Sequence, residues 1–234
     1  MAHPEFTVPH GTTIVALTFR DGVLIAGDRR ATADNLIAQR DLEKVVIVDD
    51  STAAGFAGAV GPAVQMLRLF ALEVEHYEKI EGTPISFPGK VTRLSAMLRE
   101  NLDAAAQGLV ALPLLVGFDP ERGGRIVSFD VSGNISDNRG GYKSIGSGSP
   151  YAEAALKKRH DPDADLPGAV RAAVEALWDA ADEDTATGGP DLVRGIYPMI
   201  VSVTGPEGAV RRPDGEVAEV ARAVVRDRTQ NPGG

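Results

Sequence analysis

Cysteine is absent from all 234 residues, which excludes disulfides, thiolate nucleophiles and thiolate metal sites. Such a chain fits a reducing compartment. Histidine is scarce, at four copies. His3 and His10 lie in the first eleven residues, His76 falls in an expected helix, and His160 precedes an Asp-Pro turn. None stands at metal-ligand spacing from a second histidine or a carboxylate motif, so all four read as surface residues and not as parts of a triad. Basic charge is short as well: 24 Lys and Arg against 33 Asp and Glu leave a net charge of −9. That balance argues against a nucleic-acid footprint and against an anionic membrane surface. No run approaches the roughly 18 apolar residues of a membrane span. Residues 1–11 carry neither a basic n-region nor an apolar h-region, so they do not read as a secretory signal.

What is present is ordinary for a globular protein, with 43% hydrophobic and 24% charged residues. Residues 13–20 are β-branched and apolar, Asp21-Gly22 follows, and 23–26 are apolar again, a strong hairpin signal. Residues 45–48 and 53–57 repeat the pattern around Asp49-Asp50-Ser51. Helical period then takes over. Ala63, Met66, Leu67, Phe70, Val74 and Tyr77 form one stripe, ended by Gly82 and Pro84. Val91, Leu94, Leu98 and Leu102 form a second. Two such helices suggest a pair laid over one sheet face.

Residues 112–118 read as a strand buried on both faces. Residues 125–131 read as its partner, with Val127, Phe129 and Val131 on one side and Ser128 and Asp130 on the other. Helices are expected over 149–158 and 170–181, a buried strand over 196–203, and a last helix carrying Val217, Val220, Ala221 and Val224. Helices in pairs over antiparallel strands predict a layered α+β domain and not a βαβ alternation. No linker divides the chain.

The Gly11–Thr12 junction carries the first chemical signal. If that bond is cut, Thr12 gains a free α-amine beside its hydroxyl, a nucleophile with its own base. The amine's reference pKa of roughly 7.7–8.0 leaves a useful neutral fraction near pH 7. Alone, Gly-Thr-Thr before a strand is more often just a strand start. Asp28 ends the second strand and Lys44 opens the third, at equal steps of sixteen residues. An antiparallel meander with that spacing can bring the three to one rim. A lysine held there against an aspartate lowers the pKa of a neighbouring hydroxyl. The spacing also admits a surface aspartate and an edge lysine with no contact.

These segments together resemble the catalytic β-subunits of 20S proteasomes, an N-terminal-nucleophile hydrolase family, from Gly11 to the C-terminal helix. The motifs are Gly-Thr-Thr-Ile-Val from Gly11, Gly-Val-Leu-Ile-Ala-Gly-Asp-Arg-Arg-Ala-Thr from Gly22, and Glu43-Lys44-Val45. Gly55-Phe-Ala-Gly58, Gly146-Ser-Gly-Ser149, Asp184-Thr-Ala-Thr-Gly-Gly189 and Gly195-Ile-Tyr-Pro198 agree with it. Arg68-Leu-Phe-Ala-Leu-Glu73 and His76-Tyr-Glu-Lys-Ile-Glu-Gly82 look most like the actinobacterial type.

The resemblance implies a four-layer αββα sandwich: a propeptide over 1–11 and one catalytic domain over 12–234 with a frayed tail. It implies Thr12 as nucleophile after loss of Gly11, Asp28 and Lys44 as its charged pair, and the Gly58 N–H as oxyanion donor. Ser147, Asp184 and Thr187 would form the hydrogen-bond shell around the amine. The family commonly has serine where this chain has Thr187, and an eleven-residue leader is short for the actinobacterial type. Gly146-Ser-Gly-Ser lacks the ending of a P-loop and reads as a turn supporting Ser147.

By the same resemblance, Ala31, Leu42, Val46, Phe56, Val60 and Val64 would line a pocket for a hydrophobic residue before the cut. The same six can be read simply as core. Backbone of Thr32 and Val60 would pair with substrate as an added strand. The expected setting is cytoplasmic: a seven-membered β ring stacked on a second, flanked by α-subunit rings, fed unfolded protein by an ATPase ring, with no nucleic acid and no membrane. No metal or organic cofactor is implied. The rival readings are an inactive scaffold subunit, another N-terminal-nucleophile hydrolase, or a binding domain. The presence of Thr12, Asp28 and Lys44 opposes the first; chain length and the C-terminal helix oppose a short protease ring. The third predicts an intact Gly11–Thr12 bond.

Overall fold

Strand parity assigns each side chain to a layer. In the computed structural model, which describes residues 11–33 and 36–231, β1 (Thr13–Phe19) and β2 (Gly22–Gly27) form a hairpin. Ile14, Ala16, Val23 and Ile25 point to one side, Val15, Leu17, Phe19, Leu24 and Ala26 to the other. Both sides are buried, so both must be covered.

The elements follow in chain order. The chain runs on through β3 (Ala31–Ala33), β4 (Leu36–Gln39), β5 (Val45–Asp49) and β6 (Thr52–Gly58). Helices α1 (Val60–Glu81), α2 (Phe87–Glu100) and α3 (Leu102–Ala106) follow, then β7 (Ala111–Asp119), β8 (Gly123–Phe129), β9 (Ile135–Asp137) and β10 (Tyr142–Gly146). Last come α4 (Ser149–Arg159), α5 (Leu166–Glu183), β11 (Met199–Thr204), β12 (Gly208–Arg211) and α6 (Asp214–Gln230).

Two five-stranded antiparallel sheets result, ordered β10-β1-β2-β11-β12 and β5-β6-β7-β8-β9, beside a β3–β4 ribbon. Ile14, Ile25, Ala57, Leu114, Val116, Ile126 and Val201 fill the space between the sheets. Val15, Leu17 and Leu24 pack on α4, α5 and α6 through Leu156, Val174, Leu177 and Val224. Phe56, Leu115 and Val127 pack on α1 and α2 through Leu67, Phe70, Leu94 and Leu98. The layers are therefore helix, sheet, sheet, helix, as expected.

Local chemistry sets the boundaries. Helix α2 starts where the Ser86 hydroxyl accepts from the Gly89 N–H, with Pro88 in its first turn. Helix α5 starts the same way at Asp165. Helix α1 stops at Gly82, whose φ of 69° and N–H bond to the Glu78 carbonyl close the last turn.

Four readings of the pattern are corrected. Tyr77 is 44% exposed, because the stripe of α1 has left the sheet by its last turn. Leu102 is not on α2: the helix ends at Asn101, whose amide side chain bonds the Met97 carbonyl, and Leu102 opens α3 exposed. Val131 lies beyond β8 in a turn held by Asp130, and it is Ser128 that is buried. The strand expected over 196–203 begins at Met199, since Ile196 instead bridges to Asp191.

Candidate active site

Asp28 leaves β2 into the interior, where it is 1% exposed. Its carboxylate accepts four hydrogen bonds. Oδ1 takes the Thr13 N–H at 2.8 Å and the Lys44 ammonium at 2.7 Å. Oδ2 takes the N–H groups of Arg30 and Gly188, both at 2.9 Å. Four donors saturate a carboxylate, so this one group ties together β1, the end of β2, the entry to β5 and the 188 loop.

Lys44 stands immediately before β5 and is fully buried. All three ammonium donors are used: on Asp28, on the Arg30 carbonyl, and on the Gly11 carbonyl at 3.2 Å. Burial lowers the Lys44 pKa from the usual lysine range, and the Asp28 charge and hydrogen bond oppose that fall.

The third component is the junction itself. Thr12 is 1% exposed, and its hydroxyl donates to the Gly11 carbonyl at 2.5 Å. Gly11 has φ of 106°, and a Cβ there would stand 2.6 Å from Thr32 Oγ1 and 2.7 Å from the Ala186 methyl. Only glycine takes that conformation freely in so tight a space. One peptide carbonyl thus meets both the candidate nucleophile and a buried ammonium.

Asp28 and Lys44 do come to the Gly11–Thr12 junction, through the Thr13 N–H and the Gly11 carbonyl, but not by a meander. Strands β1 and β2 belong to one sheet and β5 to the other. The rim is formed by two stacked sheets, because the β3–β4 ribbon intervenes between β2 and β5 in the chain.

A family model described as "Proteasome subunit" matches residues 8–193. The chain belongs to the proteasome subunit family. It is 61% identical over 231 residues to "Proteasome subunit beta" of Saccharopolyspora erythraea, covering 97% of this chain and 81% of that protein. The protein of the same description in Saccharomonospora viridis is 56% identical over 233 residues, covering 97% and 81%. That in Rhodococcus opacus is 56% identical over 230 residues, covering 96% and 78%. Within the proteasome family this chain is a β subunit, a threonine endopeptidase of the 20S catalytic core.

The remaining expected residues fall in three places. Ser147, Asp184 and Thr187 are brought together: the Ser147 and Thr187 hydroxyls donate to Asp184 Oδ2 at 2.5 and 2.6 Å. With Gly11 attached, this cluster reaches the Thr13 hydroxyl through Thr187 and the Thr12 carbonyl through the Ser147 N–H at 3.1 Å. Gly58 ends β6 at φ of 101°, where a Cβ would stand 2.2 Å from the Val110 carbonyl oxygen. Of the expected pocket residues, Ala31 and Phe56 are buried, and Phe56 sits in the core beneath α1 with Val46 and Val64 against it. Leu42, Val46, Val60 and Val64 are half-buried. Ala31 and Phe56 are therefore core residues, while the other four keep part of their surface exposed.

Two participants escaped the sequence reading. The sequence pattern assigns Arg30 no role, yet its carbonyl caps Lys44 and its guanidinium bonds the Thr185 and Thr187 carbonyls at 3.1 and 3.2 Å. Thr13 stands in the pattern only as the start of a strand.

Proposed function

We propose that this β subunit frees its own nucleophile by cutting Gly11–Thr12 and then acts as an endopeptidase that prefers hydrophobic residues before the cut. Residues 1–11 are the propeptide and 12–234 the single catalytic domain. The observation that supports this most is the Thr12 hydroxyl lying 2.5 Å from the carbonyl oxygen of the bond to be cut.

Processing begins when Thr12 Oγ attacks the Gly11 carbonyl carbon. Charge gathers on the carbonyl oxygen, where the Lys44 ammonium already donates. The C–N bond breaks, the Gly11 acyl group moves to oxygen as an ester, and the nitrogen takes up the proton. Water then hydrolyses the ester, releasing a leader that ends in the Gly11 carboxylate and leaving a free Thr12 amine. Departure of Gly11 also releases one of the three Lys44 donors toward Thr12.

In the mature site the Thr12 amine, directly or through a bound water, takes the hydroxyl proton as Oγ attacks substrate, and passes it to the leaving amine. Asp28 holds Lys44 charged, and that charge keeps the neighbouring amine neutral. Gly58 supplies the oxyanion N–H, and Ser147, Asp184 and Thr187 form the shell of the amine. Ala31, Leu42, Val46, Phe56, Val60 and Val64 take the substrate side chain, whose burial is worth roughly 1.5–3 kcal/mol for a Leu or Phe. The backbone of Thr32 and Val60 aligns substrate as a strand.

Proteasome β subunits assemble with α rings into the 20S core, and this chain does so as a family member. The finer arrangement is part of the proposal: seven copies per ring, two β rings between two α rings, an ATPase ring delivering unfolded protein, all in the cytoplasm. Among the described residues no helix is long and apolar enough to cross a membrane.

Intact-mass measurement after co-expression with an α subunit tests the reading. The expected result is loss of residues 1–11, abolished by Thr12→Ala. Assembled particles that keep the leader and still digest peptides at full rate would overturn it. Peptides with Leu or Phe before the cut should be hydrolysed, and activity confined to acidic residues would remove the pocket assignment.

A further inference from the structure

We infer that Thr13 is a positioning residue for the nucleophile next to it, acting through a one-way chain of hydroxyl donors that ends on Asp184. The inference rests on Thr12 being the nucleophile, as proposed above.

Thr13 is fully buried. Its hydroxyl stands 2.6 Å from that of Thr187 and accepts from the Gly148 N–H at 3.1 Å. Proton accounting gives the direction. Thr187 has one hydroxyl proton, and it is spent on Asp184 Oδ2, since an ionised carboxylate can only accept. The proton between the two threonines must therefore come from Thr13. The order runs from the Gly148 N–H to Thr13, from Thr13 to Thr187, and from Thr187 to Asp184. The space is closed: a Cβ at Gly148 would stand 2.4 Å from Thr13 Oγ1 and 2.8 Å from Thr187 Oγ1.

Residue 13 is also held by its backbone. Its N–H bonds Asp28 Oδ1 at 2.8 Å, and its carbonyl takes the Asp28 N–H at 3.1 Å. Before cleavage Thr12 is held from both sides, through Gly11 and through Thr13. Afterwards the Thr12–Thr13 peptide is its sole covalent tether. The attacking hydroxyl and the basic amine then inherit their position from residue 13. Asp28 fixes the peptide plane, and the hydroxyl chain fixes the strand end against the loop over 184–188 and the start of α4. The sequence signal was the doubled threonine: the first supplies the chemistry and the second holds it.

The test compares Thr13→Val, which keeps the shape and loses the hydroxyl, with Thr13→Ser, which keeps the hydroxyl and loses the methyl. Both are made in the full chain, co-expressed with an α subunit, with processing followed by intact mass and kcat and KM measured on the assembled particle. Thr13→Val should lower kcat about tenfold or more with KM unchanged, because small displacements of reacting groups are costly. Thr13→Ser should stay within about twofold of the parent. Unchanged kcat in processed Thr13→Val particles overturns the inference. So does a loss in Thr13→Ser as deep as in Thr13→Val, which would assign the effect to the methyl. Failure of Thr13→Val to assemble while Thr13→Ser assembles would make the hydroxyl a folding element and overturn it as well. Thr12→Ala run alongside separates the two claims: an active Thr12→Ala particle removes the nucleophile, whereas an inactive one beside a normal Thr13→Val removes only the role of Thr13.

Discussion

Among the described residues two lysines lie fully inside this protein, at opposite ends of the β5–β6 hairpin, and only one of them reaches the Gly11–Thr12 junction. Lys44 precedes β5 and bonds Asp28, the Arg30 carbonyl and the Gly11 carbonyl. Lys90 sits on α2, 1% exposed, and bonds Asp49, Ser51 and Thr52 around the β5–β6 turn. Both satisfy the rule that a buried charge must be paired and have its donors used. The difference is in the partners. All three groups around Lys90 belong permanently to the fold, whereas one of those around Lys44 is the carbonyl of the bond that we propose is cut. Burial of a lysine therefore does not mark a catalytic site. Under the proposed processing, the distinguishing feature is a donor spent on the Gly11 carbonyl.

The strongest way to break this comparison is Lys44→Ala. Losing a donor at the reacting carbonyl typically costs on the order of 10²–10³ in rate, so processing of Gly11–Thr12, and with it peptide hydrolysis, should fall that far while assembly remains possible. Near-normal turnover in assembled particles would return Lys44 to the same class as Lys90. Gly11→Ala probes the removable acceptor itself. A side chain there meets Thr32 and Ala186 at positive φ, and strain of about 1–3 kcal/mol should slow processing roughly tenfold. Intact mass over time after assembly reads it out, and unchanged processing would mean that the junction relaxes freely.

Lys90→Met sharpens the other side. Removing one member of a buried pair costs about 3–5 kcal/mol, and about 2–4 °C per kcal/mol for a domain of this size gives a fall in Tm of roughly 6–20 °C. Turnover per processed site should stay within about twofold, measured well below the lowered Tm. A specific loss of kcat in stable particles would show that Lys90 acts on the site through β5.

The smallest effect is a pH dependence of stability. Burial lowers the Lys44 pKa in the fold below its unfolded value. Between those two values the folded chain binds fewer protons than the unfolded one, so stability rises with pH across that window. The contribution is fully present above the unfolded lysine pKa of about 10.4 and is lost as pH falls through the folded value. Unfolding free energies of parent and Lys44→Met across the alkaline range should show this slope only in the parent. A slope of opposite sign would mean that the Asp28 interaction outweighs desolvation.

Much of the fold was legible because strands and helices bury faces at fixed periods. The β1–β2 hairpin, the stripes of α1 and α2, and α6 follow directly from spacing. Errors gathered where a local device overrode the period: the Asn101 bond that ends α2, the Asp130 turn that removes Val131 from β8, and the Asp191 bridge that delays β11 to Met199. Short strands with mixed composition, β9, β10 and β12, carry no period long enough to read. At the site, Thr12, Asp28 and Lys44 were legible as a motif. Arg30 and Thr13 were not, because their parts are played by a carbonyl and by a hydroxyl aimed across the molecule.

The amino-acid order by itself decided which positions of the β1–β2 hairpin and which faces of α1 and α2 are apolar, and that a glycine stands before Thr12. Folding in three dimensions decided that β5 stacks across from β1 and β2, so that Lys44 meets Asp28 over the Gly11 carbonyl. Periodicity sets which face a side chain takes, but a face can be covered by any apolar partner. Only the joint packing of two sheets and five helices selects the one that closes this site.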